Sequence, residues 1–152
     1  MKYVLWIATV ALLTALALSG CRKDNGESQE GSDAQSVSTD PMENKGIGPV
    51  SDLELAAVDP SLAQKGASLF EIKCSSCHKL DERHVGPALR EVTARRSPEW
   101  IMNMILNPQE MIEKDPIAEE LFATFMTPMA NQNLTQDEAR AVLEYLRSEA
   151  GK

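Results

Sequence analysis

Cysteine is scarce in this chain: three among 152 residues, at positions 21, 74 and 77. No disulfide framework can be what holds such a fold together. Aromatic residues are also few, seven in all and five from Pro60 onward. A domain of that size with so thin an apolar filling needs a staple or a cofactor to be stable. Positive charge is outnumbered, 15 Lys and Arg against 23 Asp and Glu for a net charge of −8, which excludes a nucleic-acid binder working by phosphate neutralisation. No stretch alternates convincingly as a strand would, and no internal repeat is present. Neither a Ser/His/Asp arrangement nor a carboxylate pair stands out, so the chain is not expected to be an enzyme. The one long apolar run, residues 4–18, falls short of the roughly 20 residues of a bilayer span.

That run follows Met1 and Lys2 and suits the core of a signal peptide over residues 1–20. Small residues then precede a cysteine in Leu18-Ser19-Gly20-Cys21, which resembles the lipobox of bacterial lipoproteins. Cys21 is then the acylated first residue of the mature chain, on the periplasmic side of a bacterial membrane. A plain secretory signal is the alternative. From residue 22 to 59 the composition turns to Ser, Gly, Asp, Glu, Asn and Gln, with nine acidic and three basic residues. Residues 21–59 read as an acidic flexible tether, with a reach of about 35 Å for a coil of that length.

Residues 60–152 read as one all-α domain. Asp59-Pro60 places an acceptor before a proline at the first helical position, and Leu62, Gly66, Leu69 and Phe70 follow at helical spacing. Ser97-Pro98 opens a second helix carrying Trp100, Ile101, Met104 and Ile105, ending before Pro108. Asn107-Pro108 and Asp115-Pro116 repeat the start signal for short helices around Met111 and Leu121. Thr135 with Glu138 forms a capping box, behind which Ala139, Val142, Leu143 and Leu146 make an apolar stripe.

The chemistry lies in Cys74-Ser75-Ser76-Cys77-His78. Two thiols flanking two residues, with an imidazole directly after, is the attachment pattern of a c-type haem: the thiols add across the porphyrin vinyl groups and His78 lies beneath the iron. Zinc fits the adjacent Cys77 and His78 poorly, and a redox dithiol lacks its βαβ setting. One cysteine for lipid and two for haem account for all three. The residues alone leave the sixth iron ligand open among Met126, Met129 and His84, with Met102, Met104 and Met111 reading as core filling.

Several spaced motifs resemble those of the class I c-type cytochromes, in particular the short bacterial members. Gly66, Phe70 and Cys74 recur at steps of four, with Tyr145 in the last helix opposite them, and Gly86-Pro87 lies eight and nine residues past His78. The resemblance implies a cytochrome c fold, several helices wrapped around one covalently bound haem c held by Cys74 and Cys77. It implies that the Pro87 carbonyl accepts the other N–H of the proximal ligand His78. It also implies Met129 as the distal ligand, five residues before Leu134, with Met126 the fallback. Ala130 stands where a proline is frequent. Trp100 reads as core, the alternative being a donor to a haem propionate.

A class I cytochrome is a one-electron carrier, here lipid-anchored and shuttling electrons in a respiratory chain to a terminal reductase or oxidase. The competing expectation is a haem sensor or peroxidase-like protein with an open or labile sixth site. The segment Arg95-Arg96-Ser97-Pro98-Glu99-Trp100-Ile101-Met102-Asn103-Met104 resembles cytochromes associated with nitrous-oxide reduction in Bacteroidota, so nitrous-oxide reductase is one expected redox partner. Charge divides unevenly, with a net of +3 over residues 60–96 and −6 over residues 97–152. A basic patch near the haem could steer an acidic partner; ordinary solvated faces are the alternative.

Overall fold

The computed structural model describes residues 38–152, so the expected signal peptide, Cys21 and the first part of the expected tether lie outside the described residues. Five α-helices follow one another: α1 (Pro60–Lys73), α2 (Pro98–Leu106), α3 (Pro108–Lys114), α4 (Pro116–Phe125) and α5 (Gln136–Glu149). A single 3₁₀ turn, Val92–Ala94, precedes α2. The described residues contain no strand, and the fold is all-α.

Four of the five helices are capped by the side chain at their start, and the fifth, α3, begins at Pro108 with no cap hydrogen bond from Asn107. The Asp59 carboxylate accepts the N–H groups of Ser61 and Leu62 at 2.8 and 3.1 Å, and Pro60 needs no acceptor. Ser97 Oγ accepts the Trp100 N–H at 3.1 Å, and Asp115 Oδ1 accepts that of Ala118 at 2.9 Å. At α5, Thr135 and Glu138 cap each other reciprocally. The first and last helices cross and form the main packing contact. Ala63, Gly66 and Phe70 face Ala139, Val142, Leu143 and Leu146, and the Phe70 and Tyr145 rings lie 5.3 Å apart. At the crossing a Cβ on Gly66 would overlap the Ala141 carbonyl and come within 2.9 Å of Tyr145 Cβ.

The expected domain boundary at Pro60 does not hold. Residues 40–59 pack on the helices instead of running free, and Asn44 and Val50 are buried. Hydrogen bonds do the holding. Asn103, wholly buried in α2, donates to the carbonyls of Lys45 and Val50, both at 2.8 Å, and accepts the Val50 N–H at 3.0 Å. Asn44 donates to Asp115 at 2.7 Å, and Asp115 also takes the Trp100 indole N–H at 3.0 Å. Met111 Sδ receives the Ile47 N–H at 2.9 Å. Replacing Asn103 by alanine strands three main-chain groups, two of them fully buried, and is expected to cost roughly 2–4 kcal/mol in urea melts.

The rest of this strap lies against α5 through Glu144, whose side chain is only 1% exposed. Glu144 binds Arg140 at 2.8 Å and Arg147 at 2.6 Å, and Arg147 reaches on to the Ala56 carbonyl at 2.7 Å. Burial pushes the Glu144 carboxyl up, but the two guanidinium groups outweigh it and hold the carboxyl below its ordinary value of 4.5. A folded value below the unfolded one gives stability that is complete above pH 4.5 and is lost as pH falls through the folded value. The melting temperature should therefore drop on acidification. Glu144→Gln should flatten the acid limb of that curve while lowering stability at neutral pH.

Candidate functional site

The end of α1 shapes the attachment motif. The Cys74 N–H donates to the Phe70 carbonyl at 2.8 Å, and the chain then turns tightly, Cys77 and His78 both donating to the Cys74 carbonyl at 3.0 and 2.8 Å. That turn brings both thiols and the imidazole to one wall. The loop beyond is stitched back by Gly86 N–H to the Cys77 carbonyl at 2.8 Å, Leu89 to Lys79 at 3.0 Å and Arg90 to Leu80 at 2.9 Å. Arg90 secures it from outside, pairing with Asp81 and, at 3.1 Å, with Glu149 of α5.

This stitching sets His78. Its Nδ1 lies 3.1 Å from the Pro87 carbonyl, and since a carbonyl only accepts, Nδ1 carries the proton and Nε2 the lone pair. Burial pushes the imidazole below its ordinary pKa and outweighs the Pro87 carbonyl, which favours the neutral form that a metal ligand must take. Burial likewise pushes the Cys74 thiol up to about 11, with Cys77 adding to the shift. Gly86 must be glycine here: a Cβ would sit 2.8 Å from His78 Nδ1.

The wall closes one side of a cavity of about 370 Å³, within the range of small-molecule sites. The lining is mainly apolar, from all five helices, the segment between α1 and α2, and the loop after α4. Its charged members are all basic: Lys73, Arg95 and Arg96. Arg95 donates to the carbonyls of Ala88 and Glu91, and Arg96 to that of Arg95. Burial and then the neighbouring Arg95 push the Arg96 guanidinium below its ordinary value, against the opposing pull of Asp115 and Glu120. An apolar disc bearing two carboxylates, anchored at two thiols, fits this donor set.

The sequence-predicted residues divide clearly. Cys74, Cys77, His78, Pro87 and Met129 line the one cavity. Met126, 76% exposed and in the left-handed region at the end of α4, is not part of the lining. His84 is exposed on the loop. Met102 and Met111 are fully buried in the core. Trp100 is buried with its indole N–H already given to Asp115. Sequence reasoning missed the cavity positions of Arg95, Arg96 and Met104. The adjacent arginines were visible only as charge, and Met104 only as one more apolar residue at helical spacing.

The cytochrome c family model matches residues 63–150. Over 42 residues the chain is 50% identical to cytochrome c-551 of Stutzerimonas stutzeri, a match spanning 27% of this chain and 40% of that relative, less than half its length. Among solved structures it is similar to cytochrome c from Rhodothermus marinus, with 48% identity and a TM-score of 0.67 over 68% of this chain and 90% of that one. An engineered form of the Rhodothermus protein, bound to a carbene intermediate, gives 46% identity and a TM-score of 0.65 over 69% and 92% of the two chains.

Proposed function

The chain belongs to the cytochrome c family, and from that membership we propose that it is a lipid-anchored monohaem carrier that passes one electron at a time. One observation carries this reading: a single cavity gathers Cys74, Cys77, His78 and Met129, with the Pro87 carbonyl on the back of the histidine. The bound haem c supplies the redox chemistry. Cys74 and Cys77 would anchor it, His78 Nε2 and the Met129 thioether would ligate its iron, and Arg95 and Arg96 would offer cations to its carboxylates. Thioether coordination raises the reduction potential relative to two histidines and suits the more oxidising part of a respiratory chain.

With His78 and Met129 both ligating, the iron would offer no open position to a substrate, which supports a carrier over an enzyme. Reduced and oxidised spectra of the haem-loaded protein test this: low-spin, six-coordinate iron is expected in both states. A five-coordinate ferric spectrum would instead support the sensor or peroxidase-like reading. His78 orientation gives a second check. Gly86→Ala is expected to break the His78–Pro87 hydrogen bond and shift the reduction potential, with the haem still covalently attached.

Cys21 after small residues supports lipid anchoring on the periplasmic side, and Cys21→Ser should move the protein from the membrane fraction to the soluble one. The partner is a terminal reductase or oxidase. Nitrous-oxide reductase is the candidate supported by the likeness of the segment over residues 95–104.

A further inference from the structure

Two methionines line the haem cavity, Met129 and Met104, both packed against the core, and the chain holds them very differently. Among the described residues, 127–134 make no main-chain to main-chain hydrogen bond. The hydrogen bond joining that stretch to another element is Asn131 Nδ2 to the Leu106 carbonyl, exposed and 3.3 Å long. Met104 lies on a fixed helix. Trp100, Ile101, Met104 and Ile105 form the cavity face of α2. The neighbouring Asn103 is pinned by its three bonds to the strap, and Met102 is 1% exposed in the core. Met104 itself is half-buried, and its unbranched side chain has three rotatable bonds with which to reposition its sulfur.

We propose that Met104 is a reserve sixth ligand, which takes the iron when the loosely tied Met129 loop swings away. The inference rests on Met129 being the resident ligand. In the exchange one dative iron–sulfur bond breaks and another forms, with no change of charge or oxidation state. The consequence is a site that stays closed to small ligands while its own loop opens. Lys73 is the competing donor in the lining, but as a hard cationic amine it must first lose a proton.

Ferric spectra of four haem-loaded proteins decide the matter: wild type, Met129→Leu, Met104→Val and the double variant. Met104→Val is expected to keep the wild-type sulfur-to-iron charge-transfer band. Met129→Leu should keep a displaced band, and the double variant should lose it. Met129→Ala repeats the test should leucine disturb the loop. A Met129→Leu protein without the band, spectrally the same as the double variant, overturns the proposal, as does a nitrogen-ligated spectrum that disappears with Lys73→Ala. Should Met129→Leu match wild type in band position and the double variant retain it, the premise about Met129 has failed and the proposal falls with it.

Discussion

Gly66→Ala is expected to be the most damaging single substitution in the helical scaffold. The added methyl group has no space, because it would overlap the Ala141 main-chain carbonyl, and Tyr145 Cβ would stand 2.9 Å away. Neither neighbour is the far end of a flexible side chain. Relief requires α1 and α5 to separate, and with them the Phe70–Tyr145 pair and the apolar faces that enclose one side of the cavity. Overpacking costs about 1–3 kcal/mol when side chains can adjust, so at least ~3 kcal/mol is expected here. For a domain of this size that is a fall in melting temperature of more than ~10 °C. Thermal melts of the haem-loaded variant measure it, and a loss below ~1 kcal/mol would show that the crossing is looser than described.

The second large effect is loss of the cofactor. Cys74→Ala with Cys77→Ala removes both attachment points, leaving the 370 Å³ cavity to be filled by water or by collapse. The mainly apolar lining would then face water, and a small domain with so thin a core has little else to offset that exposure. The double variant made without haem is therefore expected to lose cooperative melting and much of its helical circular dichroism. Haem added back should be extractable by acid solvent. Cooperative melting of the apo variant at the holo temperature would mean that the helices pack on one another without the porphyrin.

The helices were legible because each is announced by a side-chain acceptor or a proline at a fixed offset: Asp59-Pro60, Ser97-Pro98, Asn107-Pro108, Asp115-Pro116 and Thr135 with Glu138. These are local signals, complete within four residues. The strap over residues 40–59 was illegible for the opposite reason. Its attachment depends on Asn44, Asn103, Asp115, Glu144 and Arg147, partners up to 91 residues apart in sequence. Val50 is the fully buried apolar side chain there, so hydropathy reads the segment as solvated. The match to the Rhodothermus structure covers 68% of the chain, about 103 residues, more than the 93 from Pro60 onward. It therefore reaches into the strap. Cys74, Cys77 and His78 were named by one contiguous pentapeptide. Met104 was not, because a haem is itself part of the core, and a residue that faces the cofactor has the same periodicity as one that faces another helix.

The axial pair is the centre of this account, and a spectroelectrochemical redox titration of the haem-loaded protein, wild type beside Met129→His, tests it most directly. Imidazole in place of the thioether should abolish the sulfur-to-iron charge-transfer band and lower the midpoint potential by at least ~0.1 V, within the roughly 0.8 V that axial ligation spans. The wild type should titrate as a single one-electron step. A Met129→His protein with the wild-type band and potential would show that the sixth ligand lies elsewhere, and would contradict the assignment of Met129 on which the carrier reading rests.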